Sequence, residues 1–115
     1  MTLSLPMSVN RMYAYNPRSR QKIYKKEARD WLEDNSLLVQ SSLPRDFKAF
    51  DDYTVLKLKF WVPRKNADSH NYKKLLFDAL EHGGLFVDDR YILDQTMEVH
   101  VDTKNPRVEI TCQVV

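Results

Sequence analysis

Asp68-Ser69-His70-Asn71-Tyr72-Lys73-Lys74 gathers carboxylate, imidazole, amide and ammonium groups at one end of an amphipathic segment, and a second acidic pair, Asp88-Asp89, follows just after Gly83-Gly84. Carboxylates from a helix start and from a later loop suit a hard divalent cation. Mg²⁺ takes oxygen ligands, and at phosphate-processing sites it uses only one or two protein carboxylates, with waters and phosphate oxygens completing the shell. Asp68 and Asp89 are the first candidates for such a site. Spacing alone leaves an equally simple reading, in which Asp68 is a helix cap and Asp88-Asp89 a polar turn. Lys74 can form an i,i+4 pair with Asp78, or it can reach a scissile phosphate and stabilise developing charge. His70 can ligate a metal or act as a base.

Other chemistries are not supported. No second histidine lies at zinc spacing from His70, and the one cysteine, Cys112, has no partner. There is no glycine-rich phosphate loop, no nucleophile elbow and no Cys–His arrangement. A single cysteine also precludes an intramolecular disulfide and makes a reducing, intracellular setting the default. Met1 to Met7 is too short and interrupted for a signal peptide, and no apolar run approaches the roughly 18 residues of a membrane span.

The elements that must position these groups follow from periodicity. The chain has 115 residues, 43% hydrophobic and 30% charged, the profile of one globular domain spanning 1–115. Thr2 to Leu5 reads as a short strand and Ser8 to Pro17 as an irregular loop. Tyr24 to Gln40 reads as a first helix, with Tyr24, Ala28, Trp31, Leu32, Leu38 and Val39 on one face. Tyr53 to Val62 is the clearest strand; Leu56, Leu58, Phe60 and Val62 face one way. Asp68 to His82 is a second helix, capped by Asp68 or Ser69, with an apolar stripe of Tyr72, Leu75, Leu76, Ala79 and Leu80. Phe77 falls outside that stripe and suggests a subunit contact. Gly83 or Gly84 fits the C-cap. Met97, Val99 and Val101 alternate with polar residues, as do Val108, Ile110, Cys112 and Val114, which predicts two strands, each with one buried face, joined by Asp102 to Pro106 as an antiparallel hairpin. On this pattern Cys112 belongs to the core. The class is α+β, in the order β-α-β-α-β-β, with a mixed sheet and two main helices.

Net charge is only +2, but its distribution is uneven. Arg11, Arg18, Arg20, Lys22, Lys25, Lys26 and Arg29 stand against a single acid, Glu27, between residues 11 and 29. Lys25, Lys26 and Arg29 fall in the first turns of the first helix, where the macrodipole favours anions instead. A bound phosphate backbone would reverse that penalty. A solvated face partly relieved by Glu27 and Asp30 is the plainer alternative, since the cost is only about 0.3–1 kcal/mol per charge.

Order and spacing together resemble the RusA family of Holliday junction resolvases, which phages and prophages often encode. The family's core motif, approximately Asp-x-Asp-Asn-x-x-Lys, then Asp-Ala-Leu, then Asp-Asp, is similar to Asp68-Ser69-His70-Asn71-Tyr72-Lys73-Lys74, Asp78-Ala79-Leu80 and Asp88-Asp89. Its N-terminal segment is similar to Pro6-x-Ser8-x-Asn10-Arg11-x-Tyr13. The resemblance covers nearly the whole chain. It implies an α+β homodimer in the bacterial or phage-infected cytoplasm that cuts four-way junction or branched DNA with Mg²⁺ or Mn²⁺. It implies catalytic roles for Asp68, Lys74 and Asp89, with Asp88 and His70 as further metal-site residues and Asn71 shaping the site. Asn10, Arg11, Arg18, Arg20, Lys22, Lys25, Lys26, Arg29, Arg64, Lys65, Asn71 and Lys73 are the expected DNA contacts. One position departs from the pattern: His70 stands where the family has its second motif aspartate. A neutral imidazole removes a charge and disfavours Mg²⁺ more than Mn²⁺. His70 is then a ligand, a base for the attacking water, or the mark of a member that binds branched DNA and cuts it poorly.

Overall fold

The computed structural model describes residues 1–9, 11–18 and 21–114; the side chains of Tyr15, Asn16, Gln21, Lys22 and Val114 also fall outside the description. The organising element is β4 (Thr54–Val62), which follows β1 (Thr2–Ser4), β2 (Tyr13–Asn16), β3 (Gln21–Tyr24) and α1 (Lys26–Ser42). α2 (Lys73–His82), β5 (Ile92–Val101) and β6 (Arg107–Val114) complete the chain. β4 alternates as the sequence predicts. Leu56, Leu58, Phe60 and Val62 are all buried, while Lys57, Lys59 and Trp61 point to the other face. Branched and aromatic side chains at period two are what a half-buried strand requires.

β4 lies inside a four-stranded mixed sheet of order β1-β6-β4-β5, antiparallel to β6 and parallel to β5. This corrects the expected hairpin between β5 and β6. The two strands flank β4 instead of pairing with each other. Their connection caps the end of β4, with the Asp102 amide donating to the Val62 carbonyl at 2.9 Å and the Thr103 hydroxyl to the Pro63 carbonyl at 3.1 Å. The parallel β4-α2-β5 unit is a crossover, which needs a long connection such as a helix, and α2 supplies it.

Further readings change. Ser8 to Pro17 is not simply irregular: β2 pairs antiparallel with β3, Tyr13 opposite Tyr24. Tyr24 therefore ends a strand, and α1 begins at Lys26. Leu38 is exposed beside Leu37, and the buried face of α1 is Ala28, Asn35 and Val39. Phe77, read as outside the apolar stripe, is half-buried and packs against the main core. β5 departs most. A register shift at Met97 interrupts its alternation, and Met97, Val99 and Val101 are exposed, because β5 is the sheet's last strand and none of the described helices covers that part of it. Cys112 does pack against the core, and burial raises its thiol pKa.

Two clusters hold the helices to the sheet. The larger joins β4, β6 and α2 through Leu58, Phe60, Leu76, Leu80, Val108 and Ile110. The smaller joins the N-terminal segment to both helices through Met12, Ala28 and Leu75. α1 also approaches the end of α2 very closely. A Cβ built on Gly83, the residue that caps α2, would stand 2.5 Å from Val39 Cβ and 2.8 Å from the Ser36 carbonyl oxygen. Gly84, at φ 87°, then turns the chain toward β5. Gly83→Ala should therefore destabilise the fold by about 1–3 kcal/mol through overpacking. Adding Val39→Ala should recover only part of that loss in a double-mutant cycle followed by urea unfolding, since it removes Cγ1, 2.6 Å from the built Cβ, but keeps the contacts with the residue-39 Cβ and the Ser36 carbonyl; strict additivity would show that the two positions do not meet.

Candidate active site

The acidic motif begins as a cap. Asp68 Oδ1 accepts from the His70 amide at 3.0 Å and so starts a 3-10 turn, Ser69–Tyr72, that leads into α2. Short polar side chains satisfy the orphan N–H groups at such a start. Asp88 does the same for the 3-10 turn Asp89–Tyr91, with Oδ1 accepting from the Arg90 amide at 2.9 Å. Capping is thus a real role of both acids, and it uses one oxygen of each; a carboxylate carries a second that can ligate.

Asp68 lies in a cleft of about 390 Å³. The cleft is built from two stretches far apart in sequence. One contributes Pro6, Ser8 and Arg11, the other Arg64, Asp68 and Asn71. They are joined by the Val9 amide, which donates to the Asn71 carbonyl at 2.6 Å. The N-terminal segment and the acidic motif therefore form one surface, and the exposed residues Arg11, Arg64 and Asp68 line the same cleft.

Beside it, α2 carries a second group of charges. Asp78 is a buried acid. It accepts a very short hydrogen bond from the Tyr24 hydroxyl and another from Lys74 Nζ at 3.2 Å. Tyr24 in turn stacks on Tyr13, ring centroids 5.2 Å apart. Burial, then the hydrogen bond and negative charge of Asp78, hold the Tyr24 hydroxyl pKa well above the ordinary tyrosine value, so it remains a donor. At Lys74 the desolvation of partial burial lowers the pKa, but Asp78 outweighs it and the net shift is upward, with smaller help from Tyr13 and Asp89. Lys74 is therefore a firmly charged ammonium within electrostatic reach of Asp89.

The structure brings Arg11, Arg64, Asp68 and Asn71 together, and Lys74 with Asp78 and within reach of Asp89. It does not gather Asp68, His70, Asp88 and Asp89 into one cluster: among the described residues no group of three or more His, Cys, Asp or Glu side chains is placed to hold a metal ion. His70 is exposed. Lys73 is engaged by Asp94 at 2.7 Å. Lys25, Lys26, Arg29 and Lys65 are exposed, α1 starts at Lys25 without a side-chain cap, and Arg18 sits in the turn after β2. Asn10 and Arg20, and the side chain of Lys22, lie outside the described residues. Sequence reasoning missed Tyr24 and Tyr13 as part of this region, because Tyr24 continues the apolar spacing of α1. It also missed Asp94, whose signal is an acid on the same strand face as buried Ile92.

The family model for the endodeoxyribonuclease RusA matches residues 5–113. The chain belongs to the RusA endodeoxyribonuclease family. A search of the curated proteins found no match. RusA membership makes the protein an endodeoxyribonuclease of the Holliday junction resolvase type, and the match takes in both walls of the Asp68 cleft and the Tyr24–Asp78–Lys74 network. None of the described helices is long and apolar enough to cross a membrane.

The raised Tyr24 pKa has a definite consequence. Its hydroxyl ionises at higher pH in the folded chain than in the unfolded one. The stability it contributes is fully present below the unfolded value, near pH 10, and is lost as pH rises beyond it. Tyr24→Phe should cost about 1–3 kcal/mol at neutral pH, the loss of a hydrogen bond to a buried carboxylate. It should also flatten the fall in stability above pH 10, read by urea unfolding between pH 8 and 11; an unchanged alkaline slope would show that Tyr24 does not titrate as the structure requires.

Proposed function

We propose that the protein is a divalent-metal-dependent, structure-selective nuclease that acts as a homodimer on four-way junctions, each subunit hydrolysing one phosphodiester. The observation that carries this reading is the Asp68 cleft, in which two basic groups and a carboxylate from separate segments meet on an open surface. Arg11 and Arg64, which line the cleft with Asp68, would take backbone phosphates, contacts that position DNA without reading its sequence. Lys65, Lys25, Lys26 and Arg29 extend the basic surface, and Arg18, with Asn10, Arg20 and Lys22, belongs to the same proposed footprint.

The donor chemistry fits Mg²⁺ or Mn²⁺. Asp68 and Asp89 offer hard carboxylate oxygens on separate elements, and a metal that keeps waters and phosphate oxygens needs no third side chain. Asp68 and Asp89 would hold the ion, with Asp88 or His70 adjoining; when bound, it would activate water and offset charge on the phosphate. The chain's own groups do the rest. Arg11 and Arg64 orient the phosphate, and the Lys74 ammonium, fixed by Asp78, supplies positive charge for the transition state. Such preorganised charge is worth about 10²–10³-fold in rate. A branched-DNA-binding protein with weak cleavage is the second reading. It is favoured by the lack of a three-ligand cluster among the described residues and by His70 in place of an acid.

A labelled four-way junction and a matched duplex, each with Mg²⁺ or Mn²⁺, separate the two. Paired nicking of the junction, lost in Asp68→Asn and Asp89→Asn and reduced about 10²–10³-fold in Lys74→Met, is the expected result. Junction-selective binding without cleavage in either metal would establish the second reading, and no selective binding would defeat both. His70→Asp should raise cleavage in Mg²⁺ more than in Mn²⁺, because it restores a hard oxygen donor; a loss in both metals would give the imidazole a positive role.

A further inference from the structure

β5 ends the sheet with an open edge, and its second half is apolar where edges are usually defended. Met97, Val99 and Val101 are 53%, 48% and 54% exposed. Edge strands normally resist further pairing with lysines, prolines, bulges or inward charges; β5 contains no lysine or proline, and its bulge lies at Met97, ahead of the regular stretch from Glu98 to Val101. Its one irregularity is the register shift against β4 between Leu58 and Lys59, which leaves Met97 without a partner on β4. Beyond the shift Glu98, Val99, His100 and Val101 pair regularly with Lys59, Phe60, Trp61 and Val62. Val99 and Val101 thus lie on the same sheet face as buried Phe60 and Val62, but with no helix over them.

The order of residue types selects the partner. Met97-Glu98-Val99-His100-Val101 reads apolar, acid, apolar, base, apolar. Rotated by two-fold symmetry about Val99, its regular part meets itself: Glu98 faces His100 of the other copy, His100 faces Glu98, and Val99 faces Val99, while Val101 reaches the bulge residue Met97. Directly opposed side chains on antiparallel strands stand about 4.5–5.5 Å apart at Cβ, close enough for a carboxylate to accept a hydrogen bond from an imidazole. Both polar groups are already oriented. Lys59 holds Glu98 at 3.0 Å, Glu98 and His100 lie 2.9 Å apart, and His100 stacks on Trp61 with centroids 5.3 Å apart. A strand that is its own complement calls for a second copy of this chain, whose two-fold pairing is isologous and closed.

We propose that β5 pairs antiparallel with β5 of a second copy, in a register centred on Val99, to make one continuous eight-stranded sheet across a two-fold axis. The proposal deepens the homodimer part of the proposed function by assigning it a surface. A ladder about five residues long buries less than the roughly 800 Å² per partner of a standard stable interface. The free dimer should therefore be concentration-dependent, and two copies on one junction should favour it through effective concentration.

Sedimentation velocity over a wide concentration range tests this. Wild type should show a reversible monomer–dimer equilibrium. Val99→Lys, on an exposed residue, should shift the equilibrium toward monomer by at least about tenfold without a change in far-ultraviolet circular dichroism or melting temperature. The charge register gives a sharper readout. Glu98→His opposes histidine to histidine, and His100→Glu opposes glutamate to glutamate, so each alone should self-associate less. Mixed, they restore both Glu–His pairs and should form a heterodimer. Dimerisation that survives Val99→Lys, or variants that fail to associate when mixed, would overturn the proposed surface while leaving a homodimer through another face. Wild type that stays monomeric at every concentration and on a junction would overturn both. Cleavage is scored separately, so the nuclease reading stands or falls on its own.

Discussion

A carboxylate buried in a helix is costly unless it is paired and hydrogen-bonded, and Asp78 sets that condition for the whole region around α2. Tyr24 and Lys74 meet it from different sides. Tyr24 comes from the end of the β2–β3 hairpin, so satisfying Asp78 also docks the hairpin and the basic segment it carries onto α2. Lys74 comes from one turn back along α2, so the same carboxylate fixes an ammonium beside Asp89. Around this polar centre the apolar contacts of Met12, Ala28 and Leu75 supply adhesion, while the Asp78 network supplies register. Polar networks of this kind contribute specificity more dependably than they contribute net stability.

The parts of the fold that were legible in the sequence are those where one face is buried and the period is clean. β4, β6 and α2 show their inner residues directly, as do Asp68 as a cap and Gly83-Gly84 as a stop. What failed has a common cause. Alternation in β5 implies one side for Met97, Val99 and Val101, but a register shift at Met97 sets it apart from Val99 and Val101, and alternation does not report whether anything lies on a given side, which depends on strand order. That order was hidden because neighbours in sequence suggested a hairpin, whereas the sheet places β4 between β5 and β6. Tyr24 misled for a related reason. It packs beside Ala28 and so imitates one more helical turn, although the chain there is extended and the helix begins two residues later.

For the candidate site, residue types were readable and distances were not. The motif spacing placed Asp68, Asn71 and Lys74 near the start of α2, which the local backbone respects. It could not foresee that the N-terminal segment closes the other wall of the Asp68 cleft, because that depends on a backbone hydrogen bond between Val9 and Asn71 and on Met12 entering the space between the helices. Nor could it foresee that Lys73, one residue before Lys74, turns to Asp94. Adjacent residues on a helix point about 100° apart, so one lysine meets the β5 acid while the next meets Asp78 within electrostatic reach of Asp89.

The two motif acids that cap 3-10 turns, Asp68 and Asp88, have a structural role that is compatible with the chemical role proposed for them. Capping uses one carboxylate oxygen to accept from a backbone amide, and this fixes the side chain's rotamer and the direction of its second oxygen. A metal-binding carboxylate benefits from the same restraint, since less freedom is lost when a ligand arrives. An amide in that place can keep the accepting oxygen and the turn, but it loses the charge. The folding role and the electrostatic role of Asp68 are therefore separable by one isosteric change, which explains why a cap in the sequence is no argument against a site. His70 stands in the same turn and donates its backbone amide to Asp68, so its position is fixed through the cap whatever its ring does. The loss of an acid there alters the charge of the site without altering the geometry that Asp68 defines.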